Sequence, residues 1–287
     1  MIQILKKELS FYFKGMFGWF FGAVLLAFAG VYTVILNCSM GYANYEYTVN
    51  NMSFMFLIII PILTMRSISE ERKQRTDQLL YSLPVSMWDV VIGKYLAMLI
   101  TLLVPTLIMC IYPLFLMKYG TVSYTTALYN IAAFYMLGAA LIAAGLFIST
   151  LTENQAIAAG GSFALFLVTY FGKNLTDHIP GTAAASLAAL IAAAVVIAAV
   201  LFIFTKNIYA AGIFICVCVC VLELLYRHSK KLFEGLFASI IGNISVFERF
   251  YVFARGVFDF KSIVYFLSVI IFFLYLSLQS LEKRRWS

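Results

Sequence analysis

Long apolar runs separated by short polar segments occupy most of the chain. A helix that crosses a bilayer needs about 20 apolar residues, and eight runs meet or approach that length, at 16–37, 47–66, 90–117, 125–150, 156–172, 182–205, 207–226 and 262–281. The runs lack the alternation of apolar and polar positions that is typical of membrane-spanning strands. The pattern therefore predicts an all-α integral membrane protein, a polytopic bundle of about eight transmembrane helices in one transmembrane domain covering 1–287.

Residues 1–14 are predicted to form an amphipathic helix before the first span. One helical face carries Ile2, Leu5, Leu9 and Tyr12 or Phe13, and the remaining positions include Lys6, Lys7, Glu8 and Ser10. A helix with this distribution lies in the membrane interface. The apolar run that follows is too long for the core of a cleavable signal peptide.

The segment 231–258 is apolar but too interrupted to span a bilayer. An apolar helical stripe ends at Gly242 and Asn243. Ser245 and Glu248 then have the spacing of a capping box, which predicts the start of a second short helix. We expect these two helices on the outer face, either as a re-entrant hairpin or as an interfacial pair.

The segment 66–89 is the one long polar passage. Ser67 and Glu70 have capping-box spacing, and Glu71 and Arg75 have the spacing of a helical ion pair in its favourable order. These features predict a cytosolic helix that ends before Pro84. The next helix is expected to enter the membrane after Lys94.

An apolar patch accompanies the charges of this predicted helix. Leu79, Leu80 and Leu83 lie close to the dense charge of 66–77. An apolar patch beside charge at a membrane surface is typical of a docking site for a soluble partner. A solvated connector between two spans is the alternative interpretation.

Composition supports a membrane environment. Hydrophobic residues make up 63% of the chain and charged residues 11%, whereas soluble domains carry about 25% charged residues. This excludes a soluble enzyme, a nucleic-acid-binding module and a disordered chain. We assign the net charge of +7 to basic residues that flank spans and face anionic lipid. Basic clusters at 66–75 and 283–285 lie on the same side of an even number of spans, so both termini are expected to be cytoplasmic.

Catalytic and metal-binding patterns find little support. Cys216, Cys218 and Cys220 point in different directions on a helix, so they cannot converge on one metal ion. Gly93 and Lys94 lack the earlier glycine of a phosphate-binding loop and begin a span instead of following a strand. The sequence therefore predicts no ATPase activity and no cofactor in this chain.

The passage PILTMRSISEERKQRTDQLLYSLPVSMWDVVIGKYLAM resembles the second span, coupling region and third span of type-two ABC exporter permeases. The family pattern is roughly M-R-x-I-x-E-E-R-x-x-G-T-x-E-L-L, then P-V, then G-K at the start of the next span. This chain agrees at Met65, Arg66, Ile68, Glu70, Glu71, Arg72, Thr76, Leu79, Leu80, Pro84, Val85, Gly93 and Lys94. It departs at Arg75, where glycine is common, and at Gln78, where glutamate is common.

Three further segments extend the resemblance to 1–172 and 240–285. Residues 6–13 resemble an elbow helix, 145–155 resemble the inner loop between the fourth and fifth spans, and 247–267 resemble the passage into the last span. Together they are similar to the gliding-motility and nitrous-oxide-associated permeases. The region 180–226 does not fit a six-span core, and we interpret it as an inserted two-span hairpin.

The resemblance implies a plasma-membrane permease subunit that works with a separate ATP-binding subunit, which carries the ATP and Mg²⁺. It also implies a second permease copy or close paralogue and, in the subgroup, often a membrane subunit with a large outer domain. Expected coupling residues are Glu70, Glu71, Arg72, Arg75, Thr76, Leu79, Leu80, Pro84, Glu153 and Asn154.

Two alternatives to such a transporter stay open. A secondary transporter usually buries carboxylates within its spans, and Glu223 is the one acid that the predicted spans contain. A membrane scaffold that transmits ATP-driven motion without transport needs the same coupling helix. The apolar runs do not identify a substrate.

Overall fold

The computed structural model describes residues 1–42, 44–76, 86–118, 122–178, 182–205, 208–228, 230–254 and 259–285. Within these ranges the regular structure is helical and no strand is present. The α-helices are α1 Ile2–Lys14, α2 Met16–Tyr32, α3 Tyr45–Met52, α4 Phe56–Thr64, α5 Ser69–Lys73, α6 Met87–Met109, α7 Ile111–Leu116, α8 Tyr124–Leu151, α9 Gln155–His178, α10 Ala183–Thr205, α11 Ile208–His228, α12 Leu236–Ile244, α13 Val246–Ala254 and α14 Phe260–Arg285. A π-helix at Thr33–Ser39 and 3₁₀-helices at Ser53–Met55 and Lys230–Phe233 complete them.

Six helical segments are long and apolar enough to cross a membrane. They are Met16–Ser39, Tyr45–Lys73, Met87–Leu116, Tyr124–Leu151, Gln155–Gly172 and Phe260–Arg284. Each overlaps one of the predicted spans. In the region of the two other predicted spans, α10 and α11 are helical, and the described residues there include one shorter apolar helix, Ala183–Ala192. The inserted two-span hairpin therefore stays a prediction.

The first compact unit comprises 1–168 and 246–287, and α8 lies at its centre. This helix packs against α4, α6, α13 and α14. Glycines permit the close packing, because a Cβ on Gly138 would lie 2.5 Å from Leu102, and one on Gly145 would overlap Thr64. The small residues of the fourth span thus allow neighbouring helices to approach closely.

The second compact unit comprises 169–245. Within it α10 packs against α11 and α12, and the Ser245 hydroxyl donates a hydrogen bond of 2.7 Å to the carbonyl oxygen of Thr169. The two predicted short helices occur as α12 and α13, and α13 begins directly after Ser245. The capping role of Ser245 and Glu248, and the outer location of both helices, stay predictions.

Candidate functional site

A buried lysine joins three segments of the first unit. The side chain of Lys94, on α6, is 2% exposed, and its ammonium lies 2.8 Å from Oε1 of Glu8 and 3.0 Å from Oε1 of Glu71. It also donates a 2.8 Å hydrogen bond to the carbonyl oxygen of Ser67. We call Glu8, Lys94 and Glu71 the Lys94 cluster. Because the ammonium is enclosed by acceptors, its burial is compensated by charge and hydrogen bonding.

The sequence did not indicate that the two ends of this ion pair are buried. Glu8 was expected on the polar side of an interfacial helix and Lys94 at the membrane boundary, and both side chains are enclosed by the protein. The physical reason is that α1 packs against α6. A Cβ on Gly93 would lie 3.1 Å from Cγ2 of Ile4, so glycine at this position favours the close approach that lets Glu8 reach Lys94.

The prediction of a capping box at Ser67 and Glu70 is wrong. Helix α5 begins at Ser69 after an N-cap residue, Ile68, that makes no side-chain capping bond. Instead, Oγ of Ser149 on α8 accepts hydrogen bonds of 3.2 Å from the backbone N–H groups of Ile68 and Ser69. A side chain from another span therefore satisfies amides that the start of a helix leaves unpaired.

Glu70 forms a local ion pair instead of a cap. Its two carboxylate oxygens accept hydrogen bonds of 2.7 and 2.9 Å from Arg66. The Arg66 guanidinium also lies over the rings of Phe11 and Phe17, at 5.2 and 5.6 Å from their centroids. Planar stacking and two-point carboxylate binding are both typical of arginine. Arg66 thereby connects the start of the coupling region with α1 and α2.

The predicted ion pair between Glu71 and Arg75 is not formed. Helix α5 ends at Lys73, and Arg75 has a φ of +56°, in the left-handed region. Glycine adopts this conformation without steric cost, which accounts for the glycine that the resembled pattern has here. The Glu71 carboxylate instead contacts Lys94 and, at 3.6 Å, Lys7. Thr76 closes the turn by donating both its N–H and its hydroxyl to the carbonyl of Glu71.

A cavity of about 300 Å³ adjoins the Lys94 cluster between α1 and the coupling region, and Glu70, Gln74 and Thr76 are among its lining residues. Tyr12 also lines it. Burial raises the pKa of the Tyr12 phenol above its ordinary value, and the nearby charge of Glu8 adds to the rise. The phenol therefore stays neutral, and the charged groups that line the cavity are carboxylates and basic side chains.

The other predicted coupling residues have different surroundings. Arg72 is 4% exposed. Glu153 and Asn154 lie in the exposed turn between α8 and α9, where Glu153 pairs with Arg284 at 3.2 Å and Asn154 accepts a hydrogen bond from the N–H of Ala156. The remaining predicted residues, Leu79, Leu80 and Pro84, lie outside the described residues.

Sequence reasoning missed Glu8, Ser149 and the buried state of Lys94. A charge within or beside an apolar helix is costly without a partner, so Glu8 and Lys94 carried a usable signal. Ser149 carried none, because a serine in a span has many ordinary roles. Glu223 was expected to be the one acid within a span, and this expectation is wrong. The second candidate span begins at Tyr45 and includes Glu46, which is 8% exposed.

Comparison with known proteins adds the family. A search of curated proteins finds no match. A family model described as ABC-2 family transporter protein matches residues 3–284. That match covers both compact units and every residue of the Lys94 cluster. The chain therefore belongs to the ABC-2 family of transporters, as a multi-pass membrane permease subunit of an ABC transporter.

Proposed function

We propose that this permease is the membrane-spanning subunit of an ABC exporter and moves a substrate across the plasma membrane. A separate subunit binds and hydrolyses ATP with Mg²⁺, docked on the segment 66–89 at the cytoplasmic face. Both termini of the permease lie on that face. Membership of the ABC-2 family supports the permease role, and the resemblance to gliding-motility and nitrous-oxide-associated permeases supports the subgroup and the exporter direction.

The proposed assembly contains two permease halves, either two copies of this chain or this chain and a paralogue. The subgroup adds a membrane subunit with a large outer domain. Lipid surrounds the exposed apolar faces of the spans, such as Trp19 and Phe20 on α2, which are 62% and 65% exposed. Nucleic acid has no part in this assembly.

The Lys94 cluster is the observation that carries the proposal. Helix α5 starts on Ser149 of α8, and Glu71 of α5 is held by Lys94 of α6, which also holds Glu8 of α1. Separating buried opposite charges is strongly unfavourable. A displacement of α5 by a docked subunit is therefore transmitted to three further helices together, as a rigid-body movement.

Substitution of Glu71 tests the coupling. The permease is purified with its ATP-binding subunit, and the ATPase rate is measured in lipid for the original chain and for Glu71→Gln. The amide keeps the shape of the side chain but removes the charge that holds Lys94. We expect the stimulation of the ATPase by the permease to fall at least about fivefold, since coupling free energies between sites are typically 1–3 kcal/mol.

The matched control is Glu234→Gln, an exposed acid of the second unit, and it should leave the ATPase rate unchanged. Insertion of both variants into the membrane is checked by their yield and their elution volume. Absence of any ATP-binding subunit from the purified complex, or equal ATPase stimulation by the original chain and Glu71→Gln, contradicts the proposal.

A further inference from the structure

Buried polar side chains also occur in the first unit near the beginning of α8, at the opposite end of that helix from Ser149. Asn130 is 0% exposed and Glu46 is 8% exposed. Within the described part of the chain, no hydrogen-bond partner meets Oδ1 or Nδ2 of Asn130, Oε2 of Glu46 or Oδ1 of Asn50, and all four atoms are buried. We call Glu46, Asn50 and Asn130 the Asn130 layer.

Ring contacts show which face of α8 carries Asn130. Phe134 lies one helical turn after Asn130 and therefore on the same face. The Phe134 ring stacks on Phe56, with centroids 4.1 Å apart, and it also contacts Phe250 of α13 at 6.3 Å. Asn130 thus lies one turn beyond a core that α4, α8 and α13 share.

The two residues on α3 share a face that is distinct from the one turned to α2 and α7. Tyr45 stacks on Tyr112 of α7, and Thr48 donates to Asn37 in the π-helix that follows α2. Glu46 and Asn50 are four residues apart, so they lie together about a quarter turn or more from those positions. Helix α3 also packs against α8 and α13, the helices that share the core next to Asn130.

The energetic cost of the layer calls for a ligand. A buried polar group without a hydrogen bond costs about 1–3 kcal/mol, and such groups in membrane proteins mark binding sites or pathways. The layer offers three oxygen acceptors, of which one belongs to a carboxylate, and one amide donor. A single negative charge with oxygen acceptors matches a compact monovalent cation.

We propose that Glu46, Asn50 and Asn130 bind a compact monovalent cationic group, either a protonated primary amine or an alkali cation. The carboxylate of Glu46 neutralises the charge, and the amide oxygens of Asn50 and Asn130 accept hydrogen bonds or coordinate the ion. Occupancy of the layer as part of a transported molecule rests on the proposed permease function, whereas binding itself does not.

Thermal unfolding of the purified full chain in lipid nanodiscs tests the binding. Ethylammonium chloride and sodium chloride serve as the two probes, and choline chloride at equal ionic strength is the reference, because choline is bulky and has no N–H donor. We expect the unfolding temperature to rise saturably with a probe, as it does for any ligand that binds the folded state. A response to ethylammonium identifies an amine site, a response to sodium identifies an alkali-ion site, and a response to both supports the shared chemistry.

Three variants locate the site. Glu46→Gln should weaken binding at least about tenfold, as expected for loss of a charged hydrogen-bond partner. Asn50→Ala should also weaken it, whereas Asn51→Ala should not. Asn51 is the neighbouring residue on α3, exposed, and its side chain donates to the carbonyl oxygen of Tyr47, so it is a matched control.

Asn130→Leu separates a binding role from a structural one. Leucine has a similar size and removes both unpartnered atoms, so we expect the response to the probes to disappear while the unfolding temperature in choline stays equal or rises. The proposal is overturned if the original chain shows no saturable response to either probe, or if Asn130→Leu lowers the unfolding temperature in choline. No ATP-binding subunit is used, so these outcomes are independent of the coupling test at Glu71.

Discussion

The Lys94 cluster and the Asn130 layer are two buried polar regions in one compact unit, and they differ in how their polar atoms are satisfied. Lys94 has two carboxylates and a carbonyl oxygen within 3.0 Å. In the Asn130 layer, four buried atoms lack a partner among the described residues. Ser149 and Asn130 lie on the same helix, about 28 Å apart at 1.5 Å per residue.

The difference indicates different roles. A satisfied ionic cluster resists separation and therefore holds helices together. A layer with unpartnered acceptors gains free energy when a ligand supplies the missing partner. We therefore interpret the end of α8 that carries Ser149, near the Lys94 cluster, as the part that transmits motion. The end that carries Asn130 is the part that binds a ligand.

The largest effect is expected for Lys94→Met. Methionine leaves the carboxylates of Glu8 and Glu71 facing each other in a buried site without their cation. The free energy of unfolding should fall by about 3–5 kcal/mol, measured by denaturant titration of the purified chain in bicelles. The triple variant with Glu8→Gln and Glu71→Gln should recover most of that loss. A loss below about 1 kcal/mol for Lys94→Met would remove the contrast with the Asn130 layer.

Ser149→Ala should have an intermediate effect. It deprives the backbone N–H groups of Ile68 and Ser69 of their acceptor, so the free energy of unfolding should fall by about 1–3 kcal/mol. Amide hydrogen exchange at residues 68–72 should also become faster. Ser268→Ala, at an exposed position of α14, is the control. Unchanged exchange in Ser149→Ala would show that α5 does not depend on α8 for its start.

A smaller effect of opposite sign is expected for Arg75→Gly. A non-glycine residue in the left-handed region costs roughly 1–2 kcal/mol, and glycine removes this cost. The greater freedom of glycine in the unfolded chain cancels part of the resulting gain in stability. The free energy of unfolding should therefore rise by up to about 1 kcal/mol. Arg75→Val should lower it, because a β-branched residue disfavours this conformation. Equal stability of the two variants contradicts the interpretation of this turn.

The smallest effect is expected for Arg284→Gln. This change breaks the ion pair with Glu153, whose side chain is 65% exposed while that of Arg284 is 40% exposed. Surface pairs contribute about 0–1 kcal/mol and are screened by salt. The free energy of unfolding should change by less than that, and 1 M potassium chloride should abolish the difference. A larger loss of unfolding free energy that does not depend on salt would show that the Glu153–Arg284 pair stabilises the fold as the Lys94 cluster does.

Features set by local sequence were predictable. All six candidate spans overlap predicted ones, because the bilayer requires about 20 apolar residues in a continuous helix, and this requirement acts within each segment. The family followed from a contiguous passage around Glu70, Glu71 and Arg72, with Gly93 and Lys94 beyond it. The two short helices before the last span were also predictable, since the apolar stripe of the first and the start of the second are local patterns.

The tertiary structure alone decided which polar groups meet. Glu8 and Lys94 are 86 residues apart, and Ser149 and Ser69 are 80 apart, so no local pattern joins them. Local patterns instead suggested the pairs Ser67 with Glu70 and Glu71 with Arg75. These pairs do not form, because Lys94 of α6 offers Glu71 a buried cation and Ser149 of α8 offers the Ser69 amide a hydroxyl acceptor. In the low-dielectric interior these long-range partners contribute more than exposed i,i+4 pairs.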